Sequence, residues 1–377
     1  MNRSNFSLGV LLLFNCVSSA QMVNSGATVS VAQGTTFGID MDFLNTGSLK
    51  NQGDIFLTGN WMNVGTYDSA GGQLVFSSSE VQEIMNNGER INNLVIRNGI
   101  KTLSDDLTIT GQLSLNSGIL QIKEEAKLTL GQGVLITGAG ADAYIEGRVF
   151  RIGTGDLFFP IGASGNYLPA ILKNVTGTNP SLGLRVYADA PEQALGGSLE
   201  TLATSAYWNL ESDESYTGGL IALPAETTDD PRLVVAQATS EDGLFESLGK
   251  FEEFTENEVN YFSSQGNALG PFFALAFTPE DAPLPPLKVV NVITPLQDGK
   301  HDYLRIENIE LYPDNRVEIF DRHGNKVFSL KDYNNRDRVF VGEPNSGISG
   351  ELPDGNYFYT IKTGRTKVTS GFLFLKR

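Results

Sequence analysis

The chain has 377 residues, enough for two or three domains, with 41 glycines and a single cysteine. So few cysteines leave stability to burial and backbone pairing, without disulfide bonds. A net charge of −17 argues against nucleic-acid binding and against docking on anionic membranes, because both need clustered lysine and arginine. The charge is uneven: the last 90 residues carry 14 basic and 12 acidic side chains, so the preceding residues account for a net −19.

Residues 1–20 have the organisation of a secretory signal peptide. Arg3 precedes a short apolar run from Leu8 to Val17, and Ser18-Ser19-Ala20 supplies a small-residue cleavage site before Gln21. The apolar run is too short to span a membrane as a helix, and no later segment is apolar enough to do so. Cleavage after Ala20 removes Cys16, so the mature protein is predicted to be secreted and free of cysteine.

Residues 21–150 are punctuated by glycine. The glycines recur every six residues at Gly47, Gly53, Gly59, Gly65 and Gly71. Short runs of alternating apolar and polar residues lie between them and continue to Leu130. This pattern predicts a β-solenoid, in which each rung buries one side of a short strand and the next rung covers its edge. The alternative is a meander of hairpins in a sandwich, although intervals of six residues are tighter than the usual sandwich repeat.

Asparagines also recur in this region. We expect them at corners or in stacked amide ladders, at Asn45, Asn51, Asn63, Asn98 and Asn116. A polysaccharide-cleaving enzyme on a solenoid needs clustered carboxylates. The acids here are scattered, with Asp40, Asp42 and Asp54 nearest to a cluster, and both histidines lie in the last 80 residues. Exposed, solubilising carboxylates are therefore the favoured interpretation, and no catalytic residue is assigned.

Residues 151–278 are predicted to form an acidic β-sandwich. Pro160 and Pro169 mark the point at which one strand ladder stops and the chain is redirected. From Asp189 to Asp281 there are 18 acidic residues, opposed only by Arg232 and Lys250. Acidic loops at 211–214, 228–230 and 241–242 offer oxygen ligands for Ca²⁺, but none has EF-hand spacing, so solvated loop charge is favoured. Ser198 is a candidate N-cap for one helical turn at 199–203.

Residues 279–286 contain four prolines and predict an extended, semi-rigid linker. Beyond it, residues 287–377 predict a small all-β domain. Gly324 and Asn325 are expected to supply the positive φ of a tight hairpin between two apolar strands, and Pro353-Asp354-Gly355-Asn356 is a turn sequence. Tyr357 and Tyr359 then alternate with outward positions, as in a strand with one buried face.

Several of these motifs occur in a fixed order. They comprise Thr294, Pro295, Asp298, Gly299, Asp302, Tyr312, Pro313, Gly324, Leu352, Pro353, Asp354, Gly355, Tyr357, Tyr359 and Gly371. Their order and spacing resemble the gliding motility-associated C-terminal domain of Bacteroidetes, the type B sorting domain of the type IX secretion system. The resemblance covers about the last 90 residues. It implies an immunoglobulin-like β-sandwich that the secretion machinery engages, and a passenger exported across the outer membrane.

The sequence departs from the family at two places. The asparagine-rich loop that usually follows Thr-Pro is replaced by residues 296–302, and Val341-Gly342 stands where a Trp-Gly pair is usual. Asp298 and Asp302 remain as candidate ligands for Ca²⁺. An Asx-type turn with two solvated carboxylates is the favoured interpretation, so no cofactor is predicted.

The sequence favours a structural or adhesive protein at the outer-membrane cell surface or in the extracellular space. We predict that it is not an enzyme and that it contacts surface glycans or other surface proteins. The alternative is a secreted polysaccharide-acting enzyme whose carboxylates come from distant rungs of the solenoid. A freely released matrix component differs from the first hypothesis only in its final location.

Overall fold

The fold is described from a computed structural model of the chain. It describes residues 20–189, 194–225, 230–279, 286–296, 300–312, 314–347, 350–364 and 367–377. These residues are almost entirely β, with one 3₁₀ turn and no α-helix, so none of them forms a helix able to span a membrane. The chain divides into two compact units, one reaching residue 188 and including 208–218, the other comprising 189–207 and the residues from 219 onward.

The first unit begins with eighteen short strands. They are β1 (Gln21–Asn24), β2 (Thr28–Val31), β3 (Thr36–Ile39), β4 (Asp42–Asn45), β5 (Ser48–Asn51), β6 (Asp54–Leu57), β7 (Trp61–Asn63), β8 (Thr66–Asp68), β9 (Gln73–Phe76), β10 (Gln82–Met85), β11 (Arg90–Ile96), β12 (Ile100–Leu103), β13 (Leu107–Leu115), β14 (Ile119–Ile122), β15 (Leu128–Leu130), β16 (Leu135–Thr137), β17 (Ile145–Glu146) and β18 (Val149–Ile152).

These strands coil into a parallel β-solenoid of about seven turns. One sheet runs β1-β4-β7-β10-β12-β14-β17, a second runs β3-β6-β9-β11-β13-β15-β18, and β2-β5-β8 closes a third side over the first three turns. Each strand pairs in parallel with the strand one turn later in the chain, as β4 does with β7. The predicted solenoid is confirmed, and the alternative meander of hairpins is wrong for this region.

A ladder of buried asparagines runs along one corner of the solenoid. The side-chain amide of Asn24 donates to Asn45 Oδ1 at 2.7 Å, and that of Asn45 donates to Asn63 Oδ1 at 2.7 Å. Asn63 in turn donates to Asn86 Oδ1 at 3.3 Å, which also accepts from Trp61 Nε1 at 2.9 Å. Stacked amides therefore satisfy one another where the interior would otherwise hold unpaired polar groups. The sequence predicted Asn45 and Asn63 for this role, whereas Asn24 and Asn86 were missed.

The regular glycines have a steric cause. A Cβ on Gly59 would lie 2.2 Å from the carbonyl carbon of Met41, and one on Gly65 would lie 2.1 Å from the carbonyl oxygen of Gly47. Both contacts are with backbone of the preceding turn, which cannot move aside without breaking the ladder. Any larger residue at these corners would separate adjacent turns.

The interior of the solenoid also holds a lysine. Lys101 is fully buried in β12, and its ammonium donates to the carbonyls of Ser78 at 2.8 Å and Asn98 at 2.7 Å. Burial away from water lowers the pKa of Lys101 to about 8. The alternation of residues in β12 did not distinguish this lysine from an exposed one.

The parallel ladder ends where the prolines predicted a change of direction. The next strands are β19 (Gly155–Phe159), β20 (Ile161–Ala163), β21 (Asn166–Tyr167), β22 (Ala170–Gly177) and β23 (Ser181–Tyr187). Strand β20 is the last to add in parallel, to β17, and it pairs antiparallel with β21 on its other edge. Strands β22 and β23 add antiparallel to β19 and β18, respectively.

The strands that follow β23 are mainly antiparallel; residues 208–218 belong to the first unit, and the other residues from 189 onward belong to the second. The intervening strands are β24 (Ala194–Leu195), β25 (Thr201–Leu202), β26 (Tyr207–Ser212), β27 (Tyr216–Pro224), β28 (Leu233–Ala238), β29 (Leu244–Gly249), β30 (Glu253–Glu256), β31 (Val259–Ser263) and β32 (Phe272–Phe277). Strand β28 pairs with β29 and β32, while β31 pairs with β27 and β30. The predicted helical turn at 199–203 is wrong, because β25 pairs there with the edge of β32.

The last part of the second unit has its own sheets and core. Its elements are β33 (Lys288–Val289), β34 (Val292–Ile293), β35 (Ile306–Glu307), the 3₁₀ turn η1 (Ile309–Leu311), β36 (Asn315–Phe320), β37 (Lys326–Lys331), β38 (Gly355–Thr363) and β39 (Lys367–Leu375). A five-stranded sheet has the order β34-β39-β38-β36-β37, and β33 pairs with β35 in a second, two-stranded sheet. One hydrophobic cluster is built entirely from residues between 287 and 375. We call these residues the C-terminal domain.

The asparagine ladder predicts that replacing one of its asparagines lowers the stability of the first unit. In Asn45→Ala, the carbonyl of Asn63 loses the Asn45 amide inside the solenoid, and the amide of Asn24 loses its shortest hydrogen bond. We expect the free energy of unfolding of the first unit to fall by about 2 kcal/mol. Urea unfolding followed by tryptophan fluorescence measures this, since both tryptophans, Trp61 and Trp208, lie in that unit. The exposed Asn116→Ala is the control, and an equal loss in both variants would contradict a structural role for the ladder.

Candidate functional site

The C-terminal domain is organised by strand β38, in which alternate residues face opposite ways. Tyr357, Tyr359 and Ile361 are buried, whereas Phe358 and Lys362 are exposed. The buried side chains join the domain's hydrophobic cluster with residues from β34, β36, β37 and β39. The predicted strand with one buried face is confirmed.

The hairpin between β36 and β37 is fixed by one aspartate. Asp321 accepts from the backbone N–H groups of His323 and Asn325, both at 2.8 Å, and from the Asn325 side-chain amide at 2.9 Å. The hydrogen bond from the Asn325 side chain, with these backbone bonds, lowers the pKa of Asp321. Gly324 has the positive φ, 84°, that the sequence predicted. Asn325 was expected to share that conformation, but it contributes through these hydrogen bonds instead.

The Pro353–Asn356 turn is tied to the end of β39. The Pro353 carbonyl accepts from the Tyr357 hydroxyl at 2.8 Å, and Gly355 has a φ of 151°. Asp354 accepts from the backbone N–H of Arg377 at 3.0 Å, while the Arg377 guanidinium donates to the carbonyl of the buried Leu352. These five motif residues therefore form one structural unit with the end of the chain beyond the final strand.

Gly371 is required by the residue directly opposite it. Gly371 of β39 pairs with Tyr359 of β38, whose ring lies across the glycine. A Cβ on Gly371 would lie 2.3 Å from the Tyr359 hydroxyl oxygen and 2.6 Å from its Cζ. An aromatic ring that covers a cross-strand glycine in this way pins the register of the two strands.

The structure describes only some of the remaining motif residues. Thr294 donates its backbone N–H to the His301 carbonyl at 2.7 Å, and both Pro295 and Asp302 are half-buried. The Tyr312 carbonyl accepts from the Asn315 side-chain amide at 2.8 Å. Three predicted residues lie outside the described residues, namely Asp298, Gly299 and Pro313. Calcium binding by Asp298 and Asp302 therefore stays a prediction, and the described residues contain no group of three or more acidic, histidine or cysteine side chains that could hold a metal.

Within the second unit, the C-terminal domain contacts the strands that precede it. The Arg305 guanidinium lies 4.2 Å from the centre of the Phe251 ring, and Gln265 donates to Asn308 Oδ1 at 3.2 Å. A small cavity of about 110 Å³ lies here, and its lining includes residues 250–253, Arg305, Asn308 and Arg336. The sequence did not predict these contacts, because they join residues more than 40 positions apart without a shared motif.

Several carboxylates of the solenoid are engaged in local contacts. Asp105 accepts from the backbone N–H of Asn86 at 2.9 Å, and Asp42 accepts from that of Asn60 at 2.8 Å. Glu83 lies 2.8 Å from the Lys123 ammonium, which lowers the pKa of that carboxyl. A general acid in glycoside hydrolysis needs the opposite shift.

The acidic loops of the second half of the chain are similarly occupied. Asp230 forms an ion pair with Arg232 at 2.8 Å, and Glu241 accepts from the Tyr207 hydroxyl at 2.5 Å. In the first unit, Asp213 accepts from the backbone N–H of Ser181 at 2.8 Å. Asp229 and Thr228 lie outside the described residues, and calcium binding by these loops stays a prediction.

The fold defines a β-solenoid passenger followed by an all-β C-terminal domain with its own core. Residues 287–375 match the family model described as the CHU_C type IX secretion signal domain, which confirms the resemblance seen in the sequence. The match covers about a quarter of the chain and indicates a protein exported by the type IX secretion system to the cell surface or the extracellular space. No curated protein and no solved structure gave a significant match. No catalytic family is indicated for the passenger.

The contact between Gly371 and Tyr359 leads to a prediction of non-additivity. Gly371→Ala drives a methyl group into the Tyr359 ring and should cost about 1–3 kcal/mol of local stability. Tyr359→Leu removes the ring, so the double variant should lose less than the sum of the two single losses. Hydrogen exchange of the β39 amides measures this locally.

Gly197→Ala is the matched control, because a Cβ there has no atom within 4 Å. Strictly additive losses in the double variant would show that the ring does not constrain Gly371.

Proposed function

We propose that the chain is a structural or adhesive surface protein, with residues 21–278 as the passenger and residues 287–377 as its export domain. The proposal is supported by the outward surface of the solenoid, on which each turn places a strand of the first sheet beside the strand of the previous turn. The strands of its first sheet pair in register, so side chains at matching positions form continuous rows about 4.8 Å apart. A partner that binds through many weak contacts needs such a surface.

One of these rows is apolar. Val23 pairs with Leu44, Leu44 with Met62, and Met62 with Met85, so the four side chains form one stripe across four turns. Val23 is 49% exposed and Met62 is 37% exposed, while Leu44 and Met85 are half-buried. We call this row the apolar stripe.

The stripe is not part of the core. The residues next to its members in the same strands point inward and are buried, as Phe43 does beside Leu44 and Trp61 beside Met62. Contiguous apolar surface that stays exposed on a soluble protein marks an interaction site more often than a packing defect. The stripe is therefore the observation that carries the adhesive proposal.

The test compares attachment of cells that display the wild-type or an altered chain. In Leu44→Thr/Met62→Thr/Met85→Thr, the strands keep β-favouring residues and the net charge does not change. We expect attachment to polystyrene and to immobilised polysaccharide to fall several-fold, because the stripe loses most of its apolar area. Surface display is quantified by antibody labelling of intact cells.

The matched control is Val81→Thr/Leu135→Thr, which alters two exposed apolar residues outside the stripe. Unchanged attachment by the stripe variant at equal display would contradict the proposal. Release of reducing sugar ends from the polysaccharide by the purified chain would favour the alternative enzyme hypothesis instead.

A further inference from the structure

The outward face of the five-stranded sheet in the C-terminal domain carries a row of phenylalanines. Phe358 of β38 lies directly opposite Phe372 of β39 and, on its other side, Phe320 of β36. Phe358 is 51% exposed and Phe372 is 56% exposed, and the neighbouring Phe374 is 39% exposed. Directly opposed residues in antiparallel strands have Cβ atoms about 5 Å apart, so these rings form one continuous aromatic surface.

A row of cations crosses the same face nearer the other end of the strands. Lys331 of β37 lies opposite Arg316 of β36, which lies opposite Lys362 of β38. Lys331 and Lys362 are exposed, and among the described residues none of the three forms an ion pair. The one acid between the two rows, Glu318, is paired with Lys326 at 3.1 Å.

Both rows are unfavourable for an isolated domain. Like charges that lie directly opposite one another in a sheet repel, and exposed phenylalanine leaves apolar area in water. Phe320 lies four positions after Arg316 along β36, so the two rows lie about 13 Å apart on the same face of the sheet. We call this surface, comprising Phe320, Phe358, Phe372, Phe374, Arg316, Lys331 and Lys362, the aromatic–cationic face.

We propose that the aromatic–cationic face docks on a protein component of the type IX export machinery. The partner surface would present an apolar patch opposite the phenylalanines and carboxylates opposite the cations. This inference rests on the export role of the domain. Aromatic residues and arginine are enriched at the centres of protein interfaces, where they account for most of the binding energy.

The geometry favours a protein over a lipid surface. Because both rows lie in the plane of one rigid sheet, the phenylalanines cannot enter a bilayer core without carrying the cations with them. A second copy of the chain is also disfavoured, since it would bring the cationic row of each copy to the interface of the other. A carboxylate-bearing protein surface satisfies both rows at once.

The test measures export of the full chain in a host that carries the type IX machinery. Two variants alter the face independently: Phe358→Thr/Phe372→Thr and Lys331→Glu/Lys362→Glu. We expect each to reduce the amount at the surface and in the medium about tenfold, with the remainder held in the periplasm, because each removes one half of the contact. Hydrogen exchange of β38 and β39 in the purified chains shows whether the domain is folded, and the lysine variant retains every core residue.

Two control variants should be exported like the wild type. Lys331→Arg/Lys362→Arg keeps the charge, and Leu296→Thr/Val341→Thr alters exposed apolar residues of the same domain outside the face. Normal export of both face variants would overturn the inference. So would binding of the wild-type chain to anionic lipid vesicles, or its dimerisation measured by light scattering, if the face variants abolished that interaction and were still exported.

Deletion of residues 287–377 provides the separate test of the export role. If the deleted chain is held back while the face variants are exported, the export role stands and the docking face is wrong. If the deleted chain is itself exported, the export role fails and the docking inference fails with it.

Discussion

The structure depends on parallel backbone pairing between successive turns of the solenoid. The predicted mature chain has no cysteine, so no covalent link supports the coil, and each turn is held by the hydrogen bonds and side chains of the next. That constraint explains the composition. Glycine is needed where a corner meets the backbone of the previous turn, as at Gly59 and Gly65. Asparagine is needed where stacked amides must satisfy one another inside, as at Asn45 and Asn63.

The C-terminal domain obeys a different constraint. Its strands, antiparallel except for the pairing of β34 with β39, bury one face in a core of their own and leave the opposite face to the solvent. Phenylalanines and a row of cations occupy that opposite face. Passenger and export domain therefore differ in architecture as well as in net charge, which suits a domain that interacts with the secretion machinery while the passenger performs another role.

The sequence predicted those features that depend on local spacing. Glycine intervals indicated the coil, Pro160 and Pro169 marked the end of the parallel ladder, and Gly324 marked a hairpin. The sequence did not predict those features that depend on strand register or on contacts between residues far apart in the chain. No neighbouring residue in the sequence distinguishes the buried Lys101 from an exposed lysine. The predicted helical turn at 199–203 is instead the short strand β25, which pairs with β32.

The residues of the candidate site also fall into two groups, those that the sequence predicted and those that it did not. The turn and strand residues of the sorting motif were identified from their order along the chain, and the family match covers the stretch in which they lie. The aromatic and cationic rows were not identified, because Phe320, Phe358 and Phe372 become neighbours only through the pairing of three strands. These residues lie far apart in the sequence, so the sequence alone does not show that they are neighbours in the sheet.

The central claim is that the C-terminal domain, which has its own hydrophobic core, is sufficient to direct export of whatever precedes it. The most direct measurement joins residues 279–377 to an unrelated, signal-peptide-bearing reporter protein and follows the reporter in a host with the type IX machinery. The account predicts that the reporter reaches the cell surface or the medium, and that a host lacking the machinery holds it in the periplasm. A folded fusion that stays in the periplasm of the competent host would contradict the claim.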